Sequence, residues 1–360
     1  MAMARANNSN REYLSRFWSS ASGFWRGKSA LCAWLLTLSL LAMGVAQLAV
    51  QYRLNYWNRD FFDALERRDG LALWHQAVIF VPFACLSVAL KVAAVWGRMT
   101  MQREWRKWLT TNILSDWLSG ERYRQLESVT AESKNAEYRI SYDARTATDA
   151  PVDLALGFVT SALTAFVFID VLWTVGGGFT ILIDHNEITM PGYLVFGVGI
   201  YSLLFTGVMI AIGRQLPTTI QSQSQAEAEF LAAATHIREA GSPAVTADGP
   251  NNAWEAFREV LARWRQLCWQ LMGTTLVTQT DLLLAPVFAW ILCAPKYLNG
   301  TMTLGELTQA SAAFVTVQLA FNWLVDNYQR LSDWRSAVNR VAALLLAMDK
   351  LELLEHPKSE

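Results

Sequence analysis

Residues 30–51 read ALCAWLLTLSLLAMGVAQLAVQ, an apolar stretch that contains no Asp, Glu, Lys or Arg. A helix needs about 20 such residues to cross the hydrocarbon core of a bilayer. The whole chain has the same bias, because 53% of its 360 residues are hydrophobic and only 17% are charged. An ordinary soluble domain has about 25% charged residues. We therefore expect a membrane protein built from spanning helices.

Five further stretches have a similar length and composition, which predicts an all-α membrane protein with six transmembrane helices. Sixteen Trp residues support this interpretation, because indole rings favour the headgroup boundary of a bilayer. The six predicted spans are Ala30–Gln51, Leu73–Gly97, Leu154–Val175, Tyr193–Gly213, Leu271–Cys293 and Leu304–Tyr328.

The positions of the basic residues predict the orientation of these spans. Of the 30 Lys and Arg residues, 24 fall in the segments that the six-span arrangement places on one side, five fall on the other side, and Lys91 lies within a span. Segments rich in Lys and Arg stay in the cytoplasm. We therefore expect both ends to be cytoplasmic and the protein to lie in the bacterial inner membrane. Residues 1–28 are then a cytoplasmic lead-in, 29–345 the six-helix transmembrane domain and 346–360 a cytoplasmic tail.

Two polar stretches on the predicted inner side are longer than the outer loops. In residues 98–149, large apolar side chains such as Trp105, Leu109 and Ile113 recur every three or four residues, which is typical of an amphipathic helix. Residues 218–270 behave similarly. We expect the spans to continue into the cytoplasm as two helix pairs, an arrangement typical of type IV ABC exporter membrane domains. This argument is an analogy of fold.

Composition and spacing argue against several other classes of protein. The net charge of −1 gives no argument for a nucleic-acid partner. The four cysteines and four histidines are dispersed, and no pair has metal-ligand spacing. The phosphate-binding motif GxxxxGK[ST] does not occur. We therefore expect no metal, no cofactor and no ATP hydrolysis by this stretch of polypeptide, which is not predicted to be an enzyme.

Several segments of the sequence carry a family resemblance. They are NYWNRDFFDAL at 55–65, QAEAEF at 225–230, TLGELTQ at 303–309 and WLVDNY at 323–328. In this order and spacing they resemble the SbmA/BacA-like peptide transporters and the related YddA-type membrane domains of bacterial ABC transporters. The resemblance runs from Asn55 to about Leu345.

The resemblance implies a homodimeric transporter whose two subunits enclose a cavity for peptides or similarly bulky polar compounds. Its SbmA/BacA-like branch implies proton-coupled uptake. The alternative is the membrane subunit of an ABC transporter that uses a separate ATPase chain. A third interpretation is a membrane scaffold that does not transport. In all three interpretations the protein is embedded in the lipid bilayer, which is an expected partner.

Ionisable residues inside the predicted spans are the candidates for proton coupling, because burying them in a bilayer costs about 2.5–3.5 kcal/mol each on insertion scales. Asp281 lies about ten residues into the fifth span, where the resemblance also places an acidic residue. It is predicted to be either a proton carrier or the structural partner of Lys91. The complete set of candidates is Asp281, Asp170, Asp326, Glu306 and Lys91.

Two further groups are candidates for contacts outside the spans. Glu227 and Glu229 lie on a predicted inward-projecting helix, where they could bind a partner domain, line a cytoplasmic entrance or form a solvated face. The other group follows the first span and is predicted to close the outer mouth or to contact the substrate. It consists of Asn55, Trp57, Arg59, Asp60, Phe62 and Asp63.

Overall fold

The computed structural model describes residues 13–27, 29–129, 135–183, 186–239 and 249–355. Most of these residues are helical, which confirms the predicted all-α membrane class. The chain forms two compact units. Unit 1 runs up to Phe168 and resumes at Asp326, and unit 2 is Ile169–Val325.

The helices and strands follow one another in a simple order. Short 3₁₀ turns at Ser22–Trp25 and Ser119–Glu121 join some of them, and a π-helical turn lies at Arg139–Asp143. The elements are α1 (13–21), α2 (Ala30–Glu66), α3 (Gly70–Leu118), α4 (Arg122–Val129), α5 (Ala136–Gly176), β1 (Gly178–Ile183), β2 (Asn186–Pro191), α6 (Tyr193–Gly213), α7 (Leu216–Glu239), α8 (Gly249–Leu298), α9 (Leu304–Asp326) and α10 (Tyr328–Glu355).

Five of the six predicted spans lie in helices that are long and apolar enough to cross a membrane, namely α2, α3, α5, α6 and α8. The sixth predicted span forms α9, a helix of 23 residues. Polar side chains such as Gln309, Gln318 and Asn322 lower its hydropathy, and the first two of these are buried. The count of six spans is therefore not confirmed and stays a prediction.

Two of the spanning helices are much longer than a bilayer is thick. The helix α3 has 49 residues and α8 has 50, so each is about 75 Å long at 1.5 Å per residue. The hydrocarbon core of a bilayer is only about 30 Å thick. Each helix must therefore continue well beyond the membrane, as the amphipathic pattern predicted.

The core of unit 1 joins the start of the described chain to its end. Phe17 and Phe24 are buried in the same cluster as Trp105 of α3 and as Met348 and Leu351 of α10. The rings of Trp25 and Trp105 lie 4.9 Å apart in an edge-to-face arrangement, which is a favourable geometry for aromatic pairs. The predicted domain boundary at residue 345 falls inside α10, which runs through it without a break.

The predicted loop between the third and fourth spans forms a hairpin in unit 2, which the sequence did not predict. Strands β1 and β2 pair antiparallel from Gly178 opposite Pro191 to Ile183 opposite Asn186. Two glycines with left-handed backbone, Gly177 (φ +55°) and Gly192 (φ +65°), flank the hairpin. The amide of Gly192 donates to the carbonyl of Gly177 over 2.9 Å, which closes the base of the hairpin.

Substituting Gly192 tests the packing at the base of this hairpin. We expect Gly192→Ala to lower the free energy of unfolding by about 2 kcal/mol or more, because a left-handed non-glycine residue costs about 1–2 kcal/mol. In addition, the new Cβ would overlap the indole ring of Trp173. Gly199→Ala is the matched control, since its Cβ would meet no atom within 4 Å. Thermal unfolding in detergent should show a lower midpoint for the first variant only, and equal midpoints would contradict the description.

Candidate transport site

The most enclosed acidic group of the predicted spans is Asp281, which lies on α8 in unit 2. Only 7% of this residue is exposed. Its neighbours come from two other helices of the same unit, Tyr201 on α6 and the pair Gln318 and Asn322 on α9. Three separate segments of the chain therefore meet at one carboxylate.

The two carboxylate oxygens of Asp281 have different surroundings. Oδ2 accepts a hydrogen bond from Nε2 of Gln318 and another, 3.1 Å long, from Nδ2 of Asn322. These amides lie one helical turn apart, so both point from the same face of α9. Oδ1 is buried and has no hydrogen-bond partner among the described residues. Two amides therefore hold Oδ2, and the hydroxyl of Tyr201 lies beside the same carboxyl group.

Aromatic rings surround this polar group. The hydroxyl of Tyr201 donates to the main-chain carbonyl of Asp281 over 3.4 Å. The ring of Tyr201 lies 5.2 Å from that of Phe288 and 5.6 Å from that of Phe314. Such apolar surroundings lower the local dielectric constant, which strengthens electrostatic interactions and makes an unpaired charge costly.

The other acidic candidates of the spans occupy less enclosed positions. Asp170 and Asp326 are exposed, and the carbonyl of Asp170 accepts a hydrogen bond from the hydroxyl of Thr174. Glu306 forms a capping box at the start of α9, where its Oε2 accepts from the amide of Thr303 and its own amide donates to Oγ1 of Thr303, both over 3.1 Å. This arrangement stabilises a helix terminus. Their transport roles stay predictions.

The proposed alternative partner of Asp281, Lys91, is exposed on α3 in unit 1. Within unit 2, the described partners of the Asp281 side chain are the two amides of α9 and the hydroxyl of Tyr201. The pairing of Lys91 with Asp281 therefore stays a prediction.

Glu227 and Glu229 lie exposed on α7, as the interpretation of a solvated or partner-binding face requires. Each accepts a hydrogen bond of 3.0 Å from a glutamine one turn earlier, Gln223 and Gln225 respectively. These contacts are local to the helix surface. The roles of Glu227 and Glu229 at a cytoplasmic entrance or in coupling stay predictions.

The motif after the first span packs the end of α2 against the start of α3. Nε1 of Trp57 donates to the carbonyl of Gln76 over 2.8 Å, and its ring lies 4.6 Å from that of Phe80. Arg59 and Asp63 form a 3.8 Å ion pair one turn apart. Asn55 is buried, Asp60 is exposed and the ring of Phe62 packs against Phe61. These contacts give the motif a structural role, and substrate contact stays a prediction.

A second polar cluster, in unit 1, was not predicted from the sequence. The carboxylate of Asp143 is fully buried and forms two hydrogen bonds, of 2.8 and 2.7 Å, with the guanidinium of Arg340. This bidentate contact raises the pKa of Arg340, chiefly through the hydrogen bond. Nearby, Asp153 binds both Arg330 and Arg98. These ion pairs fix α10 and α3 to α5.

The sequence also missed Gln318 and Asn322. A signal was present, because two amide residues spaced four apart in a predicted span should share one helix face. Identifying their target required knowing which helix lies opposite, and periodicity does not reveal that.

Comparison with known proteins also indicates a membrane transport domain. A model of the family described as ABC transporter transmembrane region 2 matches residues 27–241. The chain is 24% identical to the Inner membrane ABC transporter ATP-binding protein YddA of Escherichia coli, over 92% of this chain and 60% of that protein. It is 25% identical to an uncharacterised ABC transporter ATP-binding protein of Synechocystis, over 91% of this chain and 48% of that protein.

A plant relative matches as well. The chain is 21% identical to the chloroplastic ABC transporter D family member 2 of Arabidopsis thaliana, over 91% of this chain and 44% of that protein. The chain thus spans about half the length of these relatives. Since the family match covers more than half of the chain, and the helices are long enough to cross a bilayer, the protein belongs to the ABC transporter transmembrane region 2 family of membrane transport domains.

Proposed function

We propose that the chain is the membrane domain of an inner-membrane transporter driven by ATP, which an ATP-binding domain hydrolyses. That domain can belong to the same polypeptide or to another. The observation that carries the proposal is the similarity of more than nine-tenths of the chain to proteins named as ABC transporter ATP-binding proteins. We further propose that two copies enclose a path for peptides or similarly bulky polar compounds, as the resemblance to SbmA/BacA-like transporters implies.

The long helices provide a physical route for coupling. Because α3 is about 75 Å long, its far end at Leu118 lies about 30 Å beyond Gly97, where the predicted span ends. The short helix α4 follows this end, and its Leu126 is buried in the core of unit 1. A cytoplasmic domain that binds there could move the spanning helices, because α3 is continuous from this end into the predicted span. In the same way, Glu227 and Glu229 on α7 are proposed coupling contacts.

The orientation of the domain can be tested by reporter fusions. Because of the excess of basic residues on one side, we expect Glu360 to be cytoplasmic and the segment 184–187 to be periplasmic. Alkaline phosphatase and green fluorescent protein fused at Glu187 and at Glu360 should therefore give opposite activities. Activity on the same side at both positions would refute the six-span arrangement.

The ATP-driven function predicts an enzymatic activity of the purified assembly. The tagged protein, isolated from its own host membranes with everything that co-purifies, should hydrolyse Mg-ATP in nanodiscs. We expect labelled peptides of 8–20 residues to stimulate that hydrolysis. Hydrolysis that is absent in repeated preparations of folded protein would contradict ATP coupling.

A second candidate function, proton-coupled uptake, is favoured by one observation. Asp281 is a buried carboxylate within a predicted span. Groups of this kind are common in proton pathways of transporters. Uptake of labelled peptide under an inward proton gradient, without nucleotide, would favour this candidate over the first.

A further inference from the structure

Three predicted membrane boundaries meet at one carboxylate in unit 1. Asp153 lies just before the predicted start of the third span, Arg98 just after the predicted end of the second, and Arg330 just after that of the sixth. In the structure, Nε of Arg98 lies 3.3 Å from Oδ1 of Asp153, and Nη2 of Arg330 lies 2.5 Å from Oδ2. Gln102 donates to the same Oδ1 over 2.9 Å. Helices α3, α5 and α10 are therefore joined where the hydrocarbon core of the bilayer is predicted to end.

This cluster carries more positive than negative charge. Two guanidiniums share one carboxylate, and among the described residues Asp153 is the acid in contact with either of them. Each guanidinium has five N–H donors and contacts Asp153 through a single nitrogen. The side chains of Arg98 and Arg330 are 41% and 53% exposed. Asp326 and Asp333 flank Arg330 along the chain but are exposed to solvent, which screens their charge. The unused donors are thus accessible to a further anion.

A third cation lies on the same face of α3. Lys91 precedes Arg98 by seven residues, so the two lie on one side of the helix about 10 Å apart along its axis. Val95 lies between them and is 46% exposed. Lys91 is exposed within a predicted span and makes no ion pair with the residues that the structure describes in unit 1. Helical side chains lean toward the N-terminus of their helix, so that of Arg98 leans toward Lys91.

We propose that Lys91, Arg98 and Arg330 bind the headgroup of an anionic phospholipid in the inner leaflet. The phosphodiester oxygens accept hydrogen bonds from the two guanidiniums, whose planar donors match phosphate geometry. The ammonium of Lys91 adds a positive charge from the bilayer side, because its long alkyl chain carries it toward the boundary. Asp153 and Gln102 are positioning residues, since Asp153 holds both guanidiniums and Gln102 fixes Asp153.

The position of the cluster favours a lipid over a soluble anion. Lys and Arg are common at cytoplasmic membrane boundaries, but here two of them come from helices far apart in the sequence and converge on one point. Basic sites of this kind between spanning helices suit anionic headgroups. A soluble phosphate would have to leave water to reach Lys91 within its predicted span. A phospholipid carries its phosphate at this boundary already.

Native mass spectrometry of the purified protein can count bound lipids, without a cargo or an ATP-binding domain. Phosphatidylglycerol should bind about tenfold or more tightly than phosphatidylcholine with the same acyl chains, at about fivefold per cation. The double variant Arg98→Gln with Arg330→Gln should lose about twentyfold in affinity for phosphatidylglycerol on the same scale. Arg145→Gln is the matched control and should keep the native affinity. It removes an exposed guanidinium of the same unit, about 12 Å along α5 from Asp153.

Three results would each contradict the proposal: equal affinities for the two lipids, an unchanged affinity of the double variant, or displacement of phosphatidylglycerol by excess inorganic phosphate. If the double variant aggregates on size exclusion, Lys91→Met decides instead, because the Lys91 side chain is exposed. This variant should weaken phosphatidylglycerol binding about fivefold, and unchanged binding would contradict the proposal. The measurement needs no nucleotide, so failure of ATP hydrolysis would leave its result unaffected.

Discussion

Arg340→Leu is expected to lower the free energy of unfolding by about 3 kcal/mol, the lower end of the usual cost of removing one partner of a buried ion pair, because the Arg340 side chain is itself 46% exposed. The reason is the position of Asp143, whose side chain is 0% exposed and whose two oxygens both bind Arg340. Without the guanidinium, this carboxylate would stay buried and uncompensated. The protein should be scarce in the membrane and melt at a lower temperature.

A double-mutant cycle provides the control. Asp143→Leu together with Arg340→Leu removes both charges, so most of the lost stability should return. The exposed pair of Arg145 and Asp149 on the same helix α5 is the matched comparison, and Asp149→Ala should cost no more than about 1 kcal/mol. If Arg340→Leu were as mild as Asp149→Ala, the ion pair would not hold α10 in place.

In proton-coupled uptake, the second candidate function, Asp281→Asn is expected to reduce uptake of labelled peptide by cells at least about tenfold, a loss of about 1.4 kcal/mol or more in the rate-limiting step. The asparagine oxygen can still accept from Gln318 and Asn322, so the fold should be preserved. However, the side chain can no longer gain or lose a proton. Membrane abundance and uptake should be measured together, with Asp170→Asn as the control that retains both.

Combining this change with Lys91→Met separates the two explanations for Asp281. If Lys91 were its ion-pair partner, Asp281→Asn would leave an unpaired ammonium and make the protein scarce, and Lys91→Met would restore its abundance. Normal abundance with lost uptake supports a transport role. Normal abundance with normal uptake would exclude Asp281 from the mechanism.

The fold was largely predictable because bilayer thickness dictates how long an apolar helix must be. The stretch Ala30–Gln51 and four other spans lie in helices that meet this requirement. The polarity of α9 made the sixth span harder to assign. Its amide side chains are buried against other protein segments, but an average hydropathy counts each amide as unfavourable for a span. The hairpin after Gly177 was missed because its register depends on backbone geometry at two glycines.

The sequence identified the acidic residue of the candidate site but not the residues that contact it. Asp281 could be found because an acid within an apolar stretch is conspicuous. Its partners Gln318 and Asn322 are about 40 residues away along the chain and contact it only after α8 and α9 pack together. The pair of Asp143 and Arg340, separated by almost 200 residues, was hidden for the same reason.

Transport by reconstituted protein tests the central claim most directly. Proteoliposomes should contain the tagged protein with its co-purifying partners and receive fluorescein-labelled peptides of 8–20 residues. Mg-ATP and a proton gradient are then supplied separately. We predict accumulation with ATP that vanadate abolishes and that protein-free liposomes lack. Accumulation that needs only the proton gradient would contradict ATP coupling, and no accumulation under either condition, with folded protein, would contradict the proposed transport of peptides.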